Sequence, residues 1–358
     1  MTQKAPDIIH SASGLVADVR SMIEQTREGV AQTVNAGITL LYWRIGKRIQ
    51  TAVLDNERAE YGKEIVATLS RQLMDEFGRG FSRRNLFNMI RFAEVFPNGQ
   101  IVHSLSAQLG WTHFRDIIPL QDSLQREFYA EMCRVERWST RTLRAKIQSM
   151  LYERTAISKK PEEVAKAELA ALREEDKLSP DLVFRDPYVL DFLGLKDRYL
   201  EKDLEDAILR ELETFLLELG QGFTFQARQF RIPIDSDDFY LDLLFYHRSL
   251  KRLIAIDLKL GDFKAEYKGQ MELYLRWLTK HEQQPGEEPP LGIILCAGKK
   301  QEQIELLELS QTGIHVAEYL TALPSRELLQ QKLHHAIEIS KARLDTKKEM
   351  EETEGGDA

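Results

Sequence analysis

The chain has 358 residues, of which 43% are hydrophobic and 30% are charged. This composition is typical of a soluble globular protein and excludes fibrous and disordered classes, and the length indicates two domains. The longest apolar run, residues 291–297, is far shorter than the roughly 20 residues that span a bilayer. The first residues lack the basic start and apolar stretch of a secretory signal. Two distant cysteines indicate neither a disulfide framework nor a zinc site. We therefore expect a cytoplasmic protein without membrane contact.

The net charge of −8 hides an asymmetry along the chain. Residues 1–155 contain 21 lysines and arginines against 17 acidic residues, whereas residues 156–358 contain 28 against 40. A mildly basic N-terminal part joined to an acidic C-terminal part indicates a division of labour between two domains. A nucleic-acid partner for the N-terminal part is therefore compatible with the acidic total.

The N-terminal part predicts helices throughout. Apolar residues recur at helical spacing over 34–53 and over 62–77. A turn with two glycines follows at 78–81, and Ser82 is well placed as the N-cap of a further helix. Helix, glycine-containing turn and helix form the outline of a helix-turn-helix. We expect its basic side chains to contact DNA phosphates rather than to read bases, with ordinary surface solubility as the alternative; they are Arg79, Arg83, Arg84 and Arg91.

The C-terminal part has a different pattern. Residues 156–186 are charged and alanine-rich, which predicts a partly helical linker, and the acidic residues 341–358 predict a disordered tail. Between them, residues 187–340 follow the order α-β-β-β-α-β-α-β, which fits an α/β domain with a mixed sheet. The predicted strands are 223–234, 239–247, 251–260, 291–296 and 314–317, and the predicted helices are 202–219, 264–278 and 301–309.

One predicted strand, "LIAIDLKL", ends in charged residues. Because side chains alternate along a strand, Asp257 and Lys259 point to the same face, out of an otherwise apolar row. The preceding strand carries Asp242, and the tight turn between the strands predicts antiparallel pairing, so both acids can lie near one end. Two buried carboxylates repel each other and lose hydration, at a cost of several kcal/mol, unless a cation lies between them. A hard divalent ion such as Mg²⁺ meets that need.

Neighbouring positions extend this candidate site. Lys259 beside a metal and a water is a combination suited to phosphodiester hydrolysis. On the following helix, Gln270 lies one turn before Tyr274 and could reach the strand ends. On the preceding helix, Glu205 and Glu211 both border the apolar stripe, and either could supply one more oxygen to the metal.

These residues carry a family resemblance. Asp242 followed by Asp257-Leu258-Lys259 resembles the PD-(D/E)XK nuclease signature. The stretch "FYLDLLFYHRSLKRLIAIDLKLGDFKAEYKGQMELYL" resembles the YhcG-like family of bacterial PD-(D/E)XK nucleases. The N-terminal half is similar to that family through "YWRIGKRI", "FSRRNLFNMIRFAEVFP", "LGWTHFRDII" and "WSTRTLRAKIQSMLYER". Two positions depart from the signature: Leu241 stands where it has proline, and Asp257 where many relatives have glutamate.

The resemblance implies an α + α/β protein, with an all-helical N-terminal domain before a restriction-endonuclease-like domain that has a mixed central sheet. It implies a metal-dependent DNA endonuclease, which we expect to use Mg²⁺ or alternatively Mn²⁺, in bacterial restriction, defence or repair. The expected site residues divide by role: Asp242, Asp257, the Leu258 carbonyl and Glu205 as metal ligands, and Asp242, Asp257, Lys259 and Gln270 in catalysis.

Other readings of the same residues stay open. Asp257 and Lys259 could be a charged pair at a strand end that simply reaches solvent. The protein could be a catalytically inactive DNA-binding or adaptor protein on a nuclease fold. An RNA-directed nuclease is less favoured because no aromatic RNA-binding strand is present. The sequence also leaves open a homo-oligomer and a protein partner for the N-terminal domain.

Overall fold

A computed structural model describes residues 6–54, 59–195, 200–322 and 324–354. The chain divides into two compact units, residues 1–147 and 148–358. The described part of the first unit is helical, as expected. Its helices are α1 (Pro6–Leu54), α2 (Ala59–Phe77), α3 (Arg83–Val95), α4 (Gly99–Ser106), α5 (Trp111–Ile117), α6 (Ser123–Glu136) and α7 (Thr140–Gln148).

Close packing of α1 on α3 forms a core of the first unit. Ile49 of α1 is buried with Val66 of α2 and with Leu86 and Met89 of α3. A side chain at Gly46 would place its Cβ only 1.8 Å from the carbonyl oxygen of Met89. Glycine therefore allows the two helix backbones to approach in a way that no other residue permits.

The expected order of helix, turn and helix is present at α2 and α3. A 3-10 turn, Arg79–Phe81, joins them after Gly78, whose φ is 87°. Ser82 is the N-cap residue of α3, but its side chain forms no capping hydrogen bond. Asn85 connects the turn to α3 instead, because its Nδ2 donates to the Gly80 carbonyl at 2.6 Å.

The second unit is built around a mixed sheet. Its strands are β1 (Tyr188–Val189), β2 (Phe223–Ile234), β3 (Asp237–His247), β4 (Arg252–Leu258), β5 (Leu291–Cys296) and β6 (Ile314–Leu320). They lie in the order β1-β6-β5-β4-β3-β2. The first three pairs of neighbours in this order are parallel, and β4–β3 and β3–β2 are antiparallel. The predicted fold class is confirmed.

Helices cover both faces of this sheet. The helices of the second unit are α8 (Leu151–Arg154), α9 (Glu162–Glu175), α10 (Pro180–Val183), α11 (Glu201–Arg210), α12 (Leu212–Leu219), α13 (Glu266–His281), α14 (Gln301–Leu306) and α15 (Arg326–Glu354). On one face, α11 and α12 pack on residues such as Phe245 and Ile256. On the other face, α13 packs on residues such as Leu244 and Ala255. Strands β3 and β4 are therefore buried on both sides along most of their length.

The segment 156–186, for which we expected a linker, packs within the second unit. Its helix α9 buries Ala165, Leu169 and Leu172, which form a narrow apolar stripe. In the sequence, the charged residues of the exposed face outnumber these apolar residues. Asp186 then binds the ammonium groups of Lys159 and Lys299. The compact unit therefore begins before this segment rather than after it.

Two further boundaries differ from the sequence expectations. The helix expected over 202–219 is two helices, because Glu211 leaves helical backbone angles between α11 and α12. The tail expected to be disordered, 341–358, is helical through Glu354 as the end of α15, and residues 355–358 lie outside the described part. Lysine and glutamate, which dominate this tail, are good helix formers. Of the described helices, none has both the length and the apolar character to cross a bilayer.

Candidate active site

The pairing of β3 with β4 brings the two candidate aspartates together. The antiparallel register pairs Leu243 with Ile256, so the next position places Asp242 opposite Asp257. The backbone N–H of Leu258 donates to Oδ2 of Asp242 at 2.8 Å. The two carboxyl groups interact, because Asp242 contributes to the raised pKa of Asp257. They therefore form one site on adjacent strands.

An irregularity in β3 sets the direction of Asp242. Leu241 and Leu244 both pack on the α13 side of the sheet, while Leu243 packs on the opposite side. The regular alternation of faces is therefore broken next to Asp242. On β2, the residue opposite Asp242 is Gln229, whose φ of 44° lies in the left-handed region. The register of the β2–β3 pair also shifts between Phe225 and Ala227, and bulges re-aim side chains out of the regular pleat.

Burial dominates the electrostatics of Asp257. Its relative exposure is 3%, and removal from water raises the pKa of the carboxyl group to about 7; Lys259 opposes this shift and Asp242 adds to it. A carboxylate at this position is therefore costly in the absence of added positive charge. The end of β4 is a site where a cation would be strongly favoured.

Lys259 supplies one such positive charge. Its Nζ lies 2.8 Å from Oδ2 of Asp257 and 5.0 Å from the centroid of the Tyr267 ring. Burial lowers the pKa of Lys259, but Asp257 and Asp242 outweigh that effect, so the pKa lies above its ordinary value. Near neutral pH, Lys259 is therefore an ammonium ion that neutralises one of the two aspartates, and not a free base.

A bridging glutamine separates the third acid from this pair. Nε2 of Gln229 donates to Oε2 of Glu205 at 2.8 Å and to Oδ1 of Asp242 at 3.1 Å. Burial raises the pKa of Glu205, and Asp242 contributes to that rise. Within the described residues, no three acidic, histidine or cysteine side chains form a group that could hold a metal. Glu211, the alternative acid, is exposed between α11 and α12.

Gln270 lies on α13, where its amide group contacts a tyrosine. Its Nε2 donates to the hydroxyl of Tyr274 at 2.6 Å, and that hydroxyl donates to the Tyr240 carbonyl at 3.4 Å. The described hydrogen bond of Gln270 is therefore made to Tyr274 and not to either aspartate.

The four candidate arginines lie on the surface of the first unit. Arg79 is on the 3-10 turn, and Arg83, Arg84 and Arg91 are on α3; all four are exposed. The guanidinium of Arg83 lies 5.7 Å from the centroid of the Phe87 ring, and Arg91 binds Glu94 at 3.0 Å. The three arginines of α3 lie within about 100° of one another around the helix axis, so this helix presents an exposed basic surface.

The sequence did not predict two residues that contact the candidate site: Gln229, which contacts Asp242 and Glu205, and Tyr267, which contacts Lys259. Gln229 gave no usable signal, because its partner depends on the length of the β2–β3 turn. The expected strands, 223–234 and 239–247, would pair Asp242 with Arg231, whereas the observed register pairs Ile234 with Asp237 and brings Gln229 opposite Asp242. For Tyr267, an aromatic residue three positions before Gln270 was the available signal.

Sheet and site together define a restriction-endonuclease-like domain of the PD-(D/E)XK type. Residues 181–334 match the family model described as the YhcG PDDEXK nuclease domain, and residues 18–154 match the DUF1016 N-terminal domain. The chain is 33% identical over 344 residues to "Putative nuclease YhcG" of Escherichia coli strain K12, covering 87% of this chain and 91% of that protein. The chain belongs to the YhcG family, and the predicted family is confirmed.

Two solved structures that the chain resembles match about a third of it. A repair endonuclease from Pyrococcus abyssi is 20% identical and covers 34% of this chain, with a TM-score of 0.24. EndoMS in the EndoMS-dsDNA2 complex is 16% identical and covers 36%, with a TM-score of 0.26. This chain spans about half, 49%, of each of those chains.

Replacement of Asp257 by asparagine should stabilise the protein in the absence of divalent ions. The folded wild type retains the Asp257 proton up to about pH 7, whereas the unfolded chain loses it near pH 4. The wild type should therefore lose stability as pH rises through this window, at about 1.4 kcal/mol per pKa unit, and Asp257→Asn should not. Urea unfolding in chelator at pH 4.5 and pH 8 measures the difference. An equal change in both proteins would contradict the burial argument.

Proposed function

We propose that the C-terminal unit is a metal-dependent endonuclease that hydrolyses phosphodiester bonds in DNA. The observation that carries this proposal is the facing pair of Asp242 and Asp257 with the Lys259 ammonium beside it. Restriction, defence and repair in bacteria are the roles we expect for such an enzyme. A catalytically inactive adaptor on the same fold is the alternative that the experiments below separate.

The charge balance of the site favours a divalent cation. Asp242, Asp257 and Glu205 together carry three negative charges when ionised, and Lys259 offsets one. Because Asp257 is buried, the remaining charge is costly without a further cation. Oxygen donors of this kind suit Mg²⁺, and Mn²⁺ as its common substitute. We propose that Asp242, Asp257 and the Leu258 carbonyl hold the ion, with Glu205 in an outer position behind Gln229.

Each residue then has a defined task. When bound, the cation supplies a Lewis acid beside the scissile phosphate. The Lys259 ammonium group, directed by Asp257 and the Tyr267 ring, attracts a phosphoryl oxygen and orients an attacking water. Gln270, held by Tyr274, borders the site from α13, and we propose that it positions substrate or water there.

We propose that α3 and the turn before it bind the phosphate backbone. Arg79, Arg83 and Arg84 have exposed guanidinium groups, and phosphate contacts of this type position a protein without reading sequence. Arg91 must exchange its contact with Glu94 for a phosphate, an exchange that a surface ion pair of low energy permits. The first unit would then recruit DNA and the second unit would cut it.

Substitution of Asp257 by asparagine or Lys259 by methionine should reduce DNA cleavage at least about 100-fold. The first removes a charged ligand of the proposed cation, and the second removes a positive charge beside the reacting phosphate. Cleavage of linear, nicked, branched and single-stranded DNA, with RNA alongside, is measured with Mg²⁺ or Mn²⁺.

The matched control is Asp237→Asn, which changes an exposed aspartate on the same hairpin and should leave cleavage unchanged. Metal-dependent cutting that survives in purified Asp257→Asn would overturn the assignment. A wild-type protein that binds DNA but cuts no substrate with either ion would favour the inactive adaptor.

Gln229 is proposed as a positioning residue for the metal ligands. Replacement by alanine removes the amide group that orients Asp242 and separates it from Glu205, so Mn²⁺ affinity should fall about 10-fold or more, as for other residues that orient metal ligands. Calorimetric titration of Mn²⁺ measures this, with Gln226→Ala, an exposed glutamine on the same strand, as the control. Equal affinity in the two variants would remove Gln229 from this role.

Removal of Arg83 and Arg84 together should weaken DNA binding in a salt-dependent way. Each lost phosphate contact reduces the slope of log K against log salt by about 0.9, so the double alanine variant should have a slope shallower by about 2. Fluorescence anisotropy over a range of salt concentrations measures the slope. The control is the double alanine variant of Arg115 and Arg141, which are exposed elsewhere on this unit. An identical effect of both pairs would indicate general charge rather than a DNA-binding face.

A further inference from the structure

The N-terminal half of α1 exposes a row of large apolar side chains. Between residues 19 and 41 these side chains are 40% to 66% exposed, although isolated exposed hydrophobics are the usual pattern on a protein surface. The row consists of Val19, Met22, Ile23, Val30, Val34, Ile38 and Leu41.

These side chains form one stripe along the helix. With 3.6 residues per turn, Val19, Ile23 and Val30 lie within about 40° of one another around the helix axis. The opposite side carries exposed polar residues, including Gln25 and Gln32. Residues 29–43 contain no charged side chain at all, so no charge on this part of the helix opposes burial of the stripe. The segment therefore has the pattern of a helix that packs against another helix.

The size of the stripe determines what kind of contact it supports. Residues 19–41 span about 35 Å of helix, and a width of about 10 Å gives roughly 350 Å² of apolar surface. Patches of this size on monomers are often functional. Two such surfaces cover less than the roughly 1,200 Å² of a standard protein–protein interface. The contact is therefore expected to be weak and concentration-dependent.

We propose that this stripe, residues 19–41 of α1, pairs with the same stripe of a second copy in antiparallel orientation, centred on Val30. Around that position, large apolar residues of one copy lie opposite either a large apolar residue or a smaller one of the other copy. Val19 then faces Leu41 of the second copy, and Val34 faces Thr26. Met22 and Ile38 lie about 160° apart around the helix axis and form the two edges of the stripe. A two-fold contact requires a surface that is complementary to itself, and this sequence of side chains meets that requirement.

Small residues give the pair its close fit. In the antiparallel alignment, Ile23 of one copy lies opposite Gly37 of the other. A Cβ placed on Gly37 would meet no atom within 4 Å, and the same holds for Gly29. The space beside each glycine is therefore open to a side chain from a second helix, as in knobs-into-holes packing.

Replacement of Val30 by glutamate tests the pairing, because it places two carboxylates face to face at the two-fold axis. The oligomeric state of the full chain is measured by light scattering and sedimentation at roughly 1 to 100 µM, a range suited to weak association. We expect a dimer for the wild type and a monomer for Val30→Glu. The control, Gln32→Glu, adds the same charge on the opposite side and should remain dimeric. Circular dichroism checks that both variants fold equally.

Thiol cross-linking tests the orientation. Cys133 and Cys296 are buried, so a short bis-maleimide should act on introduced cysteines. Val30→Cys should link to itself. Val19→Cys and Leu41→Cys should link only when mixed, because equivalent residues at the ends lie about 33 Å apart in an antiparallel pair.

Three results would overturn the proposal: a monomeric wild type over the whole concentration range, an unchanged dimer in Val30→Glu, or self-linking of Val19→Cys, which indicates parallel pairing. A monomeric wild type would leave the stripe to a different partner. Oligomeric state is measured without DNA or metal, so failure of this proposal leaves the proposed nuclease activity unaffected.

Discussion

The candidate site depends on the burial of a carboxyl group at the end of β4. Asp257 is 3% exposed, and its position among apolar strands makes the ionised form costly in free energy. Asp242 on the neighbouring strand increases that cost, and Lys259 reduces it. This arrangement lowers the free energy of unfolding and creates a site at which an added positive charge is strongly favoured. That preference is the physical basis for proposing a divalent ion and a phosphate substrate at this place.

The β2–β3 hairpin that carries Asp242 is irregular. A regular β2–β3 pair would keep alternation intact next to Asp242, but Leu241 and Leu244 both pack toward α13. The left-handed backbone of Gln229 lies opposite this break, and its side chain contacts two acids. Strained backbone conformations of this kind concentrate at functional sites, where the surrounding structure maintains them. The hairpin therefore both supports the core and aims the acidic groups.

The two units suit different kinds of interaction. The second unit buries its acidic groups within a packed sheet, which favours precise positioning of a few atoms. The first unit presents exposed features, the arginines of α3 and the apolar stripe of α1, which favour contact with large partners. Because phosphate contacts carry little sequence information, choice of target would have to come from DNA shape, from modification or from a further partner.

The sequence predicted the fold class, which the structure confirms, and it predicted that Asp242 and Asp257 lie near one end of neighbouring strands, because strand patterns and tight turns are local. The prediction of a linker was wrong for the helix 162–175, because its charged composition concealed a narrow apolar stripe. Leu169 and Leu172 of this stripe are buried.

Only the tertiary structure decided the contacts between elements. The observed register of the β2–β3 hairpin placed Gln229 between Glu205 and Asp242, and packing of α13 on the sheet brought the Tyr274 hydroxyl to the Tyr240 carbonyl. Burial of Asp257, which sets its pKa, likewise requires helices on both faces of the sheet. The physical reason is that side-chain periodicity is a property of each segment alone, whereas register, burial and electrostatic coupling exist only when segments meet.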